Sequence, residues 1–237
     1  MSIGKEITGL ERVLNYTFSD ISYLENALTH SSYSNEQKSR GIALRSNERL
    51  EFLGDAILQT VVSKYLYENY KGHSEGVLTK MRQYLVCEKT LSKIAAEIEI
   101  GEYLNVGKGE ENNGCRKRPK VLADALEAVL AAVYLDSFSS DPTLHERVIL
   151  GVFASEILGL SNSFNDDYKT MLQQLVEKDG ASVLEYEVVS VDGPEHNKHF
   201  EVVAKINNNI VGNGEAKSKK EAEMQAAKAA LELFGLV

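Results

Sequence analysis

From residue 20 to about residue 158 the apolar positions recur every three to four residues, broken only at the polar, glycine-rich stretches YKGHSEG and VGKGEENNGCRKRP. That period predicts an all-α first domain, residues 1–160. Residues 161–166 are small and polar and read as a linker. Beyond it the pattern changes. DYKTMLQQLVEKDG has helical spacing, LEYEVVSV and HFEVVAKI alternate apolar with polar, and KSKKEAEMQAAKAALELFG is helical again. Between them INNNIVGNGEA supplies turn residues, with GNGEA at 212–216 read as a hairpin turn. The order predicted for residues 167–237 is helix, three strands, helix: a small α+β unit (α-β-β-β-α) with both helices on one sheet face.

The 237 residues suffice for two ordinary domains, and 43% hydrophobic with 26% charged residues is globular composition. Lys plus Arg number 26 against 35 Asp plus Glu, a formal charge of −9, so nothing global attracts the chain to nucleic acid or anionic lipid. Any phosphate binding must come from a local patch. Cys87 and Cys115 have no CxxC spacing and no histidine partner, which points to neither zinc nor a disulfide framework and fits a reducing compartment. The first residues offer no signal-peptide apolar core, and AVLAAVYL, the longest apolar run, is too short to span a bilayer. The expectation is a cytoplasmic protein with no membrane partner.

Candidate chemistry concentrates in NERLEFLGDAIL. Glu48, Glu51 and Asp55 fall at i, i+3 and i+7, within roughly 60° of one helix face, while Leu50, Leu53 and Ile57 take the other. A second helix, KVLADALEAVLAAVYLD, carries Asp124 and Glu127 at i, i+3 in a run apolar nearly all round, so two acids sit in a helix that should be buried. Two carboxylates about 4 Å apart at an effective dielectric near 20 repel by roughly 4 kcal/mol. Arg49 points away from Glu51 on its helix, and Lys120 is the other nearby cation. A salt-bridge network is one reading; a divalent metal site is the better one, and oxygen-only ligands favour Mg²⁺, with Mn²⁺ able to substitute, over Zn²⁺. Such a site suits phosphoryl chemistry. A di-iron site would bring a Glu-x-x-His pair, which is absent from the chain.

These segments resemble the bacterial ribonuclease III family: NERLEFLGDAIL its signature, LADALEAVLAAVYLD its second acidic helix, with LTHSSYSNE, EGVLTKMRQYLV and GEYLNVGKGEE in the family's order. The resemblance implies an endonuclease domain that dimerises into one catalytic valley with two sites, each cutting one strand of a duplex. It implies Glu51, Asp55, Asp124 and Glu127 as metal-binding catalytic carboxylates, Glu127 the most sensitive, with Glu48 and Glu75 as supporting acids. Phe52 lies on the acidic side of its helix, where a core argument does not put it; its family counterpart packs into the partner subunit, implying a dimer-interface anchor in a homodimer. Two positions depart from the family's pattern: Cys87 where Asn is common, and Val77 where an acid often follows the glycine.

The C-terminal segment resembles a double-stranded RNA-binding domain. Its physical signal is strongest at Lys217, Ser218, Lys219 and Lys220: Ser218 and Glu221 form a capping box, leaving three lysines at a helix N-terminus, where cations are disfavoured. Exposed N–H groups with three ammonium groups make a phosphate clamp. By resemblance, Thr170, Gln173 and Gln174 on the first helix and His196 between the first two strands would touch the minor groove and its 2′-hydroxyls. Taken together, the expectation is a Mg²⁺-dependent, homodimeric endoribonuclease acting on double-stranded RNA, without a nucleotide cofactor. It would leave 5′-phosphates, 3′-hydroxyls and short 3′ overhangs on ribosomal RNA precursors and structured messenger RNAs. The alternative, a non-cleaving double-stranded RNA-binding regulator, would have lost a metal ligand, and all four are present.

Overall fold

The computed structural model describes residues 7–71, 73–163, 167–178, 180, 182–194 and 198–236. In chain order the helices are α1 (Thr8–Leu14), α2 (Ser22–Ala27), α3 (Ser31–Ser39), α4 (Glu48–Asn69), α5 (Glu75–Val86), α6 (Glu88–Glu97), α7 (Ile100–Tyr103), α8 (Lys108–Asn112), α9 (Pro119–Ser137), α10 (Leu144–Val152) and α11 (Ala154–Ser163). There follow α12 (Asp167–Lys178), β1 (Leu184–Asp192), β2 (His199–Ile206), β3 (Asn209–Ala216) and α13 (Lys219–Leu233). Short α8 and a 3-10 turn at Cys115–Lys117 sit inside the stretch that reads as a break, and α11 continues through Ser163, into the predicted linker. The chain divides into two compact units, Met1–Asn69 with Arg82–Leu158, and Tyr70–Met81 with Gly159–Val237.

In the first unit α9 is the central helix, as its uniform apolarity demands. Leu126, Ala128, Val129, Leu130, Ala132 and Val133 are fully buried, and α2, α4, α6 and α10 pack around it. Its last turn ties down the chain's beginning: Asp136 accepts hydrogen bonds from the Tyr16 hydroxyl (2.6 Å) and from the backbone N–H groups of Ser19 and Asp20 (both 2.8 Å). The LTHSS segment and the NVG segment hold each other. His30 N–H donates to the Asn105 carbonyl at 3.0 Å and Asn105 N–H to that of Leu28 at 2.7 Å, while Ser32 Oγ accepts from Gly107 N–H at 2.9 Å. His30 caps α3, its Nδ1 accepting from Ser32 N–H at 3.2 Å. Asn47 precedes α4, and its carbonyl accepts the helix's first bonds from Leu50 and Glu51.

In the second unit α12 and α13 cover one face of the antiparallel sheet β1-β2-β3. The core joins Leu172 and Val176 of α12 to Val202 and Ala204 of β2 and to Ala222, Ala226, Ala230 and Leu231 of α13. One expectation is corrected. GNGEA is not a hairpin turn but the body of β3, and the turn lies at Asn207–Asn208, both left-handed (φ 49° and 68°). Gly212 and Gly214 are there for proximity. A Cβ on either would collide with the α13 backbone, at the Ala226 and Ala222 carbonyls respectively. The alanines of α13 that face them allow the same close approach.

Among the described residues no helix is long and apolar enough to cross a membrane.

Candidate active site

Two helices in close contact create the acidic cluster. Gly54 of α4 lies against the backbone of α9 at Glu127, so near that any Cβ would overlap the Glu127 carbonyl. That approach brings α4's acidic side to the two acids of α9. One ligand oxygen each of Glu51, Asp124 and Glu127 lie within 4.8 Å of one another. Asp55, exposed on the next turn of α4, is outside this triad and accepts from Gln59 Nε2 at 3.3 Å. It is nevertheless the carboxylate that acts most strongly on Glu127.

Three anions at this separation repel pairwise by roughly 3–4 kcal/mol at an effective dielectric near 20, and the proton affinities record it. Burial, then the charges of Asp55, Asp124 and Glu51, push the Glu127 carboxyl from its ordinary 4.5 up to about 7. Burial first, then Asp124 and Glu48, also raise Glu51, with Lys120 opposing. Among the described residues the triad's cation partner is Lys120, whose ammonium is 3.1 Å from Asp124 in an i,i+4 pair. A single exposed lysine does not balance this much negative charge. An all-oxygen, partly buried and under-neutralised cluster fits a hard divalent cation.

Glu48 accepts from Ser46 Oγ at 2.7 Å, and Glu75, opening α5, from Thr79 Oγ1 at 2.8 Å; neither belongs to the triad. Phe52 projects into solvent at 81% exposure, so it is no intramolecular core aromatic. The two departures are accommodated by their surroundings. Val77 is buried (4% exposed), a place hostile to an acid. Cys87 occupies the N-cap of α6, its Sγ 3.5 Å from Thr90 Oγ1.

On the C-terminal unit Thr170, Gln173 and Gln174 are exposed along α12, Gln173 donating to Glu177 at 2.8 Å. Ser218 caps α13 as predicted, Oγ accepting from Glu221 N–H at 3.3 Å. Lys217, Lys219 and Lys220 are exposed around that cap, and Lys219 lies 3.8 Å from Glu223, which also holds Lys169 at 2.6 Å. His196 lies outside the described residues.

Residues 20–150 match the family described as Ribonuclease-III-like, and residues 168–233 the double-stranded RNA binding motif. Ribonuclease 3 of Caldanaerobacter subterraneus subsp. tengcongensis is 46% identical over 233 residues, covering 98% of this chain and 99% of the relative. The chain belongs to the ribonuclease III family. Ribonuclease 3 of Clostridium tetani is 41% identical over 227 residues, 96% of this chain and 94% of the relative. The crystal structure of the nuclease domain of ribonuclease III from Campylobacter jejuni shares 38% identity at a TM-score of 0.56, covering 64% of this chain and 96% of that one. A second structure of that nuclease domain, described as showing structural flexibility in a region involved in dimer formation, superposes with a TM-score of 0.55 at 38% identity, over 62% of this chain and 95% of that one. This ribonuclease III family enzyme therefore pairs a nuclease domain with a double-stranded RNA-binding motif, and acts on double-stranded RNA. Membership in the ribonuclease III family implies use of a divalent metal, which the acidic cluster suits. One feature of the site escapes a reading of sequence spacing: Gly54, whose missing side chain allows the helices to meet.

Proposed function

We propose that this chain is a homodimeric, Mg²⁺-dependent endoribonuclease of the cytoplasm that hydrolyses both strands of double-stranded RNA. It leaves 5′-phosphates, 3′-hydroxyls and short 3′ overhangs, and its substrates are ribosomal RNA precursors and structured messenger RNAs. Residues 1–160 serve as the nuclease domain, 161–166 as linker and 167–237 as the RNA-binding domain. The observation that carries this reading is the convergence of Glu51, Asp124 and Glu127 beside Asp55, with one lysine for compensation.

Glu51, Asp55, Asp124 and Glu127 hold the metal and are the catalytic carboxylates; Mn²⁺ can take the place of Mg²⁺. Bound there, a divalent cation activates water and stabilises charge on the phosphate and the leaving oxygen. The chain's own share is positional. Gly54 brings α4 against α9 at Glu127, burial keeps Glu127 among low-dielectric surroundings, and Glu48 and Glu75 add negative charge as supporting acids. Hydrolysis of a phosphodiester runs downhill, so no nucleotide cofactor is needed.

Phe52, exposed on the isolated chain, anchors the dimer against a second copy; a region involved in dimer formation is described for the Campylobacter jejuni nuclease domain. Thr170, Gln173, Gln174 and His196 contact the minor groove, and Lys217, Ser218, Lys219 and Lys220 clamp phosphate across it. Substrates are therefore selected by A-form shape, with base identity secondary. Glu127→Gln tests the assignment: the variant is expected to bind duplex RNA as the parent does and to lose cleavage, and a variant that cuts at the parental rate overturns it.

A further inference from the structure

The apolar sides of α12 and α13 meet the sheet in one core, and a charged strap joins the two helices near their N-terminal ends. Lys169, the third residue of α12, donates to Glu223 of α13 at 2.6 Å, and its ammonium lies 4.7 Å from the centre of the Tyr186 ring on β1. Glu223 also lies 3.8 Å from Lys219, one turn back on its own helix and part of the lysine cap. The first turn of a helix disfavours a cation, so α12 by itself does not account for Lys169. Glu223 and the Tyr186 ring do. The pair differs from an ordinary surface pair, because the Glu223 side chain is only 16% exposed and that of Lys169 35%. Tyr186 Oη is buried without a hydrogen-bond partner, so the residue serves the strap through its ring face, as a platform for the ammonium.

Glu223 is an anion set beside the cations of the cap, where an arriving phosphate backbone is repelled by it. By charge alone it opposes binding; its value must lie in where it holds its neighbours. On the RNA-binding reading above, which this inference extends, we propose that Glu223 is a positioning residue for duplex recognition. It holds Lys169 across to α12 and Lys219 along α13, and so fixes the groove-facing side of α12 at the distance from the lysine cap that one A-form duplex requires. Thr170 follows Lys169 directly, and Gln173 lies one turn further along the same helix, so a displaced Lys169 carries both away from the groove. The strap sits where a small tilt of α12 would alter its spacing from the cap.

The test compares the parent full-length chain with Glu223→Gln, Lys169→Met and the double variant in three measurements: affinity for a perfect RNA duplex in Ca²⁺, KM and kcat for its cleavage in Mg²⁺, and melting temperature. Charge and position predict opposite signs. Glutamine removes an anion beside the phosphates, so an effect of charge alone tightens binding. The proposal expects Glu223→Gln to weaken duplex affinity about fivefold, with KM rising in step and kcat moving less than about twofold. In the Lys169→Met background the strap is already gone, and Glu223→Gln is expected there to leave affinity unchanged or to tighten it. A Glu223→Gln chain that binds as tightly as the parent, or more tightly, overturns the proposal. So does a loss of the same size in both backgrounds, which would separate Glu223 from Lys169. A loss that tracks a fall in melting temperature and vanishes on cooling also overturns it, and makes the strap a support for the fold alone. A parent chain that does not bind the duplex in Ca²⁺ overturns the RNA-binding reading itself, and this proposal with it.

Discussion

Replacing Glu127 by glutamine should stabilise the metal-free fold, and do so increasingly as pH rises. The carboxyl titrates at about 7 in the folded chain against an ordinary 4.5. A raised acid stabilises the native state fully below its unfolded pKa, and that contribution is lost as pH climbs through the folded value. Between pH 4.5 and 7 the folded chain thus pays increasingly for an anion held beside Asp55, Asp124 and Glu51. The interval corresponds to about 3 kcal/mol; Glu127 is only half-buried, and solvent screening reduces this to about 1–2 kcal/mol. Glutamine has the same shape and no charge, so it escapes the penalty. In EDTA, the melting temperature of Glu127→Gln minus that of the parent should widen by about 3–6 °C between pH 5 and pH 8. Adding Mg²⁺ at pH 8 should raise the parent's melting temperature more than the variant's, because the ion removes the repulsion that glutamine has already removed. A difference that stays flat with pH, or a variant less stable than the parent at pH 8, refutes the electrostatic account of the cluster.

Gly54→Ala places a methyl group against the Glu127 carbonyl, a backbone atom with no cheap retreat; overpacking of about 1–3 kcal/mol is expected, seen as a lower melting temperature together with weaker Mn²⁺ binding. Phe52→Ala removes an exposed side chain, so the melting of the isolated chain should barely move. In sedimentation, however, two lost anchors per symmetric dimer, about 3–6 kcal/mol in all, should shift the population to monomer; an intact dimer would exclude Phe52 from the interface. Deleting residues 162–237 should weaken duplex binding at physiological salt and confine activity to low salt, since the phosphate contacts of the lysine cap are lost; unchanged affinity would remove the C-terminal unit from the binding role.

The acids of α4 and α9 were legible because helical spacing is a local property: three positions on one face, two in a run with no other reason to hold charge. Phe52 was legible for the same reason, as an aromatic on the wrong side of its helix. Strand β2 falls on the eight residues whose alternation marks it. What spacing does not carry is which backbones meet. Gly54 looks like any helical glycine until Glu127 is placed against it, and Gly212 and Gly214 look like turn residues until α13 covers them. The separation of Asp55 from the triad, and its stronger pull on Glu127, likewise depend on how two helices cross rather than on where residues fall along one. The short helix α8 lies in a segment whose glycines and polar residues signal a break, and its place is secured through Glu36, which accepts from Lys108 N–H at 2.9 Å from α3.

The most direct test is to incubate the purified chain with end-labelled perfect duplex RNA, first with Mg²⁺ and then with Ca²⁺, and to map the ends of any products. Staggered cuts with 5′-phosphates in Mg²⁺, and an intact but bound duplex in Ca²⁺, are the predicted result. A duplex that is bound and left whole in both metals would contradict the account and make the chain a binder of double-stranded RNA that does not cut it.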